Sequence, residues 1–128
     1  MSDNNPFNII NDQVPQSGGQ AVSAVDKSLG LTEQIESLIK SSDVFLFMKG
    51  TSDMPMCGFS ANTVAILNSL NVPYKTFNIL EDMDIREGVK EYANWPTFPQ
   101  LYVKGELVGG NDIITEMFHS GDLQNILK

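Results

Sequence analysis

A chain of 128 residues and 14.1 kDa, 41% hydrophobic and 19% charged, suits one compact core and leaves no room for a second. Its longest apolar run, Val44 to Met48, falls far short of the roughly 20 residues that cross a bilayer. Sixteen acids against eight bases leave a formal charge of −8, with no basic footprint for nucleic-acid phosphates or anionic lipid.

Residues 1 to about 30 are rich in Asn, Gln, Ser, Gly and Pro, and Ile9, Ile10, Val14 and Val22 recur with no sustained period. This predicts a flexible N-terminal tail. Asp3, Asp12 and Asp26 against Lys27 give it a net −2, unlike an Arg-rich mitochondrial presequence, and no secretory apolar stretch is present. The cytoplasm is the expected compartment, with the mitochondrial matrix the alternative if a presequence has been removed. The remaining residues, 31–128, read as one domain.

From Thr32, a candidate N-cap, Ile35, Leu38 and Ile39 recur at helical spacing until Ser41 and Ser42. Val44-Phe45-Leu46-Phe47-Met48 reads as a strand buried on both faces. A loop from Gly50 to Met56 follows, and Ala61, Val64, Ala65 and Leu70 then predict an amphipathic helix. Tyr74 to Ile79 reads as a second strand, parallel to the first through a right-handed crossover. Ile85, Val89 and Tyr92 mark a third helix ending near Trp95-Pro96. Gln100 to Val103 and Leu107-Val108 form a hairpin turned by Lys104-Gly105-Glu106. Asp112 can cap a helix containing Ile113, Ile114 and Met117, and Ser120 to Asp122 can start another. The expected fold is thioredoxin-like α/β: a four-stranded mixed sheet flanked by about five helices.

The single cysteine, Cys57, cannot form an intrachain disulfide or alone build a zinc or iron–sulfur site. Any sulfur chemistry must recruit a second thiol from outside. Cys57 sits where a loop enters a helix, so unpaired backbone N–H groups and the helix dipole favour its thiolate. Lys49 ends the preceding strand and is placed to add a positive charge. The alternatives are a small buried hydrophobe for Cys57 and a solvated strand-end charge for Lys49.

Pro55-Met56-Cys57-Gly58-Phe59-Ser60 resembles the monothiol glutaredoxins, whose signature is Cys-Gly-Phe-Ser. Trp95 through Val103, then Gly105, Gly109-Gly110 and Asp112-Ile113, match the family's later blocks in order and spacing, so the resemblance covers residues 31 to 128. Ser60 stands where dithiol relatives carry a resolving cysteine, and a mixed disulfide at Cys57 therefore needs an external thiol.

The resemblance implies glutathione as cofactor. Lys49 and Arg86 match positions that hold the glycine carboxylate, although Arg86 can instead pair with Glu87 or Asp82. Thr97, Phe98 and Pro99 match the edge that pairs with the tripeptide, with Pro99 cis by resemblance. Phe98 is a bulky residue there and is expected to narrow the groove or stack near the cofactor. Gly110, Asn111 and Asp112 match the turn and helix start that hold the γ-glutamyl end, Asp112 facing its ammonium; without the family they are an ordinary turn and cap. Several members carry a second cysteine at the position of Asn111. Phe59 is either core or an apolar wall around the sulfur, Trp95 a structural ring, Met54 and Met56 an adaptable surface, and His119 a helix-end packing residue.

The leading implied function is carriage of a [2Fe–2S] cluster bridging two protomers, with Cys57 as metal ligand. Each protomer adds Cys57 and one glutathione, which together give the four thiolates such a cluster needs. Implied partners are a second copy, a BolA-like protein and iron–sulfur assembly or acceptor proteins. The second function is a weak glutathione-dependent thiol–disulfide oxidoreductase, with Cys57 as catalytic nucleophile on protein–glutathione mixed disulfides.

Overall fold

The computed structural model describes residues 19–127, so residues 1–18 of the expected tail lie outside it. Val44–Met48 (β2) is buried at every position and forms the centre of the sheet. It runs parallel to Tyr74–Asn78 (β3) and antiparallel to Gln100–Val103 (β4). Because strand side chains alternate between faces, Phe45 and Phe47 enter one core, and Val44, Leu46 and Met48 the other. The first core is closed by Leu31–Lys40 (α1) and Met83–Ala93 (α3), and the second by Gly58–Ser69 (α2), Asn111–Ser120 (α4) and Asp122–Ile126 (α5). Phe47 makes edge contacts with Phe45, Phe77 and Tyr102, centroids 5.0, 6.3 and 5.7 Å apart. The hairpin to Glu106–Gly109 (β5) turns on Lys104 and Gly105 at φ of 52° and 86°, the two positive values a type I′ turn requires. Among the described residues, no helix is long and apolar enough to cross a membrane.

The thioredoxin-like order appears as expected, with one correction. The sheet has five strands, β1-β3-β2-β4-β5, because Gly19–Ala21 (β1) pairs parallel to β3 inside the stretch expected as tail. Glycine, glutamine and alanine have little strand propensity. What holds them is the free edge of β3, extended by the Val22 N–H to Thr76 C=O bond at 2.8 Å.

Two helix starts also differ from expectation. In α1 the cap is Gly30, whose N–H donates to Glu33 Oε1 at 3.2 Å, so Thr32 lies within the first turn. In α4 the cap is Gly110, and Asp112 lies inside the helix. The buried face of α2 is Ser60, Thr63, Val64 and Leu67, with Ile66 beside it, whereas Ala61 and Ala65 are exposed. Those first four residues have helical spacing, but hydroxyls occupy two of the apolar slots and hide the period.

Candidate functional site

The backbone after β2 must turn sharply to bring Cys57 back to the sheet. Gly50 does this at φ +90°, and a Cβ there would lie 2.4 Å from the Met54 carbonyl oxygen. The loop then closes on itself. Gly50 bridges Pro55, Thr51 and Met54 exchange backbone hydrogen bonds at 3.2 and 3.1 Å, and Met56 N–H donates to Lys49 C=O at 2.9 Å. Asn78 Oδ1, at the end of β3, accepts from Gly50 N–H at 2.9 Å. Met54 and Met56 project from this loop and Phe59 from the first turn of α2, all three exposed. Phe59 is thus a wall beside the sulfur and outside the core.

Cys57 is the N-cap residue of α2, with extended backbone and a partly exposed side chain. Its thiol makes no regular cap hydrogen bond, yet its pKa is lowered, chiefly by the Ser60 N–H. Burial opposes the shift, while the Phe59 N–H, the Lys49 charge and the Ser60 hydroxyl add to it. Lys49 therefore acts in the expected direction but ranks below the helix terminus. Ser60 is fully buried, and its Oγ accepts from Lys49 N–H at 3.2 Å, joining the end of β2 to the helix that carries the thiol.

Thiolate absorbance should titrate with a midpoint below the ordinary value of about 8.5. Because the folded pKa is the lower one, the thiolate contributes stability above the unfolded pKa and loses it as pH falls through the folded value. Lys49→Ala should raise the midpoint only part of the way, since the N–H groups remain. A wild-type midpoint at or above 8.5 would remove the argument for an activated thiol.

Cys57 opens into a cleft of about 460 Å³, within the roughly 300–1,000 Å³ usual for small-molecule sites. Lys49, Arg86, Thr97, Phe98, Gly110, Asn111 and Asp112 line it with Cys57. Pro99 is buried just behind, joined to Phe98 by a cis peptide bond. Phe98 lines the cleft, yet at 7% exposure it also belongs to the core with Phe45 and Tyr102, so little of its surface is open to a ligand.

The two carboxylates that Arg86 could have taken are occupied. Lys27 pairs with Asp82, Lys90 pairs with Glu87 at 3.1 Å, and Arg86 Nε is buried with no hydrogen-bond partner among the described residues. Three of the chain's eight bases, Lys49, Arg86 and Lys90, line the cleft, with Asp112 the one acid among the described lining residues. The cleft is thus a cationic site on an acidic protein, and low-dielectric walls strengthen such a field. The sequence reading missed Lys90, although its i,i+4 spacing from Arg86 was a usable signal.

Opposite these cations, α4 begins without a side-chain cap, and its first backbone bond is Ile114 N–H to Gly110 C=O at 3.0 Å. The N–H groups of Asn111, Asp112 and Ile113 therefore lack intrahelical partners. The Asn111 side chain is engaged elsewhere, its Oδ1 accepting from Asn62 at 2.8 Å and lying 3.2 Å from the Thr63 hydroxyl. It ties α4 to α2 and leaves its backbone to face the cleft. The floor of the cleft rests on a buried relay that no motif revealed. Tyr102 OH donates to Gln100 Oε1 at 3.0 Å, and Gln100 Nε2 donates to the carbonyls of Trp95 and Thr97 at 2.9 and 3.2 Å. Burial pushes the Tyr102 phenol up to about 12, which keeps it a donor. Trp95 lines the cleft and also packs beneath Gly110, where a Cβ would meet its Nε1 at 3.3 Å. His119 is exposed in the last turn of α4, its ring 5.7 Å from that of Phe118.

Comparison with known proteins places these features in a family. The glutaredoxin family model matches residues 44–108. The chain is 53% identical over 95 residues to an uncharacterized monothiol glutaredoxin (ycf64-like) of Synechocystis, covering 74% of this chain and 89% of that one. It is 48% identical over 110 residues to glutaredoxin 3 of Danio rerio, covering 86% of this chain but about a third of that longer protein, 34%. Among solved structures, reduced apo GrxS14 of poplar superposes with a TM-score of 0.67 at 52% identity, covering 75% of this chain and 88% of that one.

Proposed function

Since the chain belongs to the monothiol glutaredoxins, we propose that it binds glutathione in the Cys57 cleft and carries a [2Fe–2S] cluster between two protomers for delivery to acceptor proteins. The observation that carries this reading is an activated thiol opening into a cleft lined by Arg86, which pairs with no carboxylate among the described residues.

The donor set suits a peptide with a carboxylate at each end. Lys49 and Arg86 offer a cation and a guanidinium fork to one carboxylate. The unpaired N–H groups of Asn111, Asp112 and Ile113 offer an anion site to the other, and the Asp112 carboxylate can take the adjacent ammonium. Thr97 and Phe98 present the backbone edge between them, with Pro99 setting its direction and Gly110 the close approach on the far side. When bound, glutathione supplies a second thiol beside Cys57.

One protomer then presents half the thiolates that the cargo cluster requires, and a second copy completes them. Ser60 leaves no internal thiol to compete for Cys57 by forming a disulfide. Helix N–H groups that stabilise the Cys57 thiolate without iron also favour giving the cluster up. The exposed Met54, Met56 and Phe59 surround the sulfur with the deformable apolar surface that a partner can cover; a second copy, a BolA-like protein and acceptor proteins are the proposed partners.

The exposure of Cys57 supports a second reading. Its thiolate attacks the glutathione sulfur of a protein mixed disulfide, the protein thiolate leaves, and a second glutathione thiolate then releases glutathione disulfide and restores Cys57.

Reconstitution without oxygen, with iron, sulfide and glutathione, separates the two. A coloured dimer with one [2Fe–2S] per two chains is expected, read by light scattering and by iron and sulfide analysis on the same fractions. A stable monomer that binds iron without glutathione would overturn the carrier reading. So would a colourless protein with strong mixed-disulfide reduction.

A further inference from the structure

Residues Gly19 to Leu29 touch both elements that bring cations to the cleft. At one end, Gly19 C=O accepts a hydrogen bond from Ser52 Oγ at 3.1 Å. Ser52 lies in the self-closed loop between Lys49 and Cys57, whose other anchor to the sheet is Gly50 N–H on Asn78. Gly19 fits there because it has no side chain: a Cβ would press on the Tyr74 ring at 2.6 Å and on Ser52 Cβ at 2.9 Å. At the other end, Lys27 Nζ pairs with Asp82 Oδ2. Asp82 Oδ1 accepts from Ile85 N–H at 3.1 Å and caps α3, the helix that carries Arg86 and Lys90.

Between these ends the segment is held along its length. β1 pairs with β3, and Val22 and Val25 pack on the core. Asp26 Oδ1 then accepts from both the N–H and the hydroxyl of Ser28, at 3.0 and 2.6 Å, turning the chain toward α1. Gln34 Nε2 fixes the Leu29 carbonyl at 2.8 Å.

We propose that residues 19–29 act as a strap that holds the loop before Cys57 and the start of α3 in register, with Ser52 and Lys27 as positioning residues for the two cationic walls of the cleft. A ligand that bridges both walls loses less affinity to ordering when the walls are held before it arrives. The affinity consequence rests on the reading of the cleft as a glutathione site, whereas the mechanical coupling does not.

The test compares the full chain with Ser52→Ala/Lys27→Met and with the conservative pair Ser52→Thr/Lys27→Arg. Amide exchange should accelerate in the first variant at Thr51, Met54 and Met56, which the Ser52 hydrogen bond holds, and at Ile85 and Arg86 in the first turn of α3, which the Lys27 ion pair holds, by roughly three- to tenfold at most. Exchange in β2 and β4 should not change. Glutathione affinity, by calorimetry, should fall by no more than that factor, because affinity follows the fraction of molecules with the walls in place, and the conservative pair should recover most of both losses. The strap is overturned by unchanged loop exchange, by equal acceleration throughout the core, or by losses that the conservative pair does not recover. If the unaltered protein does not bind glutathione, the functional reading fails, while loop exchange still decides the strap.

Discussion

Cys57→Ser is expected to abolish the coloured dimer altogether while leaving the fold intact. The replaced atom is the one sulfur that the polypeptide offers, and a neutral hydroxyl is a poor substitute for a thiolate toward iron in a sulfur-rich cluster. Loss of colour through misfolding is guarded against by position. Cys57 is the N-cap of α2 with an extended backbone at φ −156° and ψ 139°, and serine is among the preferred residues there. Denaturation should show stability equal to wild type or up to about 1 kcal/mol higher. The measurement pairs visible absorption after anaerobic reconstitution with a denaturant midpoint on the same preparation. A coloured, cluster-containing dimer from the serine variant would show that Cys57 is not a ligand and sink the carrier mechanism.

The largest stability effect among the site residues is expected at Gly50. Gly50→Ala places a side chain at φ +90°, outside the conformations an L-residue readily takes, and drives its Cβ to 2.4 Å from Met54 O and 2.7 Å from Met56 N. Both are backbone atoms, and moving them breaks the Gly50 to Pro55 bridge and the Met56 to Lys49 bond. Backbone strain and overpacking of this kind cost about 2–4 kcal/mol together. Urea unfolding should show that loss, and the Cys57 thiol should titrate closer to its ordinary value as the loop shifts. Gly58→Ala is the control next to the thiol. A Cβ at Gly58 meets nothing within 4 Å, so no loss is expected and a gain of a few tenths of a kcal/mol is consistent with helix propensity. Equal behaviour of the two variants would remove the steric account of the loop.

The cationic wall was only partly legible before the fold was known. Lys49 and Arg86 match family positions, and the i,i+3 spacing of Glu87 and Lys90 marks that pair, but nothing in the order of residues says that Asp82 is taken by Lys27. The Lys27 to Asp82 pair spans 55 residues and exists because the strap crosses the start of α3. Phe98 shows the opposite case. A bulky residue beside a proline suggests a ring that narrows the groove, and in the fold Phe98 lines the cleft while most of its surface packs in the Phe47 core.

Where periodicity was strong, the elements followed from the sequence. Five consecutive apolar residues rich in β-formers, too few for a helix, satisfy their burial as an interior strand, and the Ile35, Leu38, Ile39 stripe as a helix face. The position of Cys57 at a helix start also came from the chain itself, since the loop and Pro55 before it are local signals, even though the period of the helix that follows is hidden. Tertiary structure alone decided three things. β1 forms because β3 leaves an edge unpaired, which no propensity of Gly-Gln-Ala encodes. Ser60 and Thr63 are buried because neighbouring polar groups just after β2 and on α2 and α4 satisfy their hydroxyls, a condition set by residues 11 and 48 positions away. Gln100 is buried because it reaches the carbonyls of Trp95 and Thr97 and receives the Tyr102 proton. For β1, Ser60 and Thr63 the deciding partner is distant in sequence or fixed by the pairing of strands, and for Gln100 it is near in sequence but within reach only once the turn before β4 has folded back.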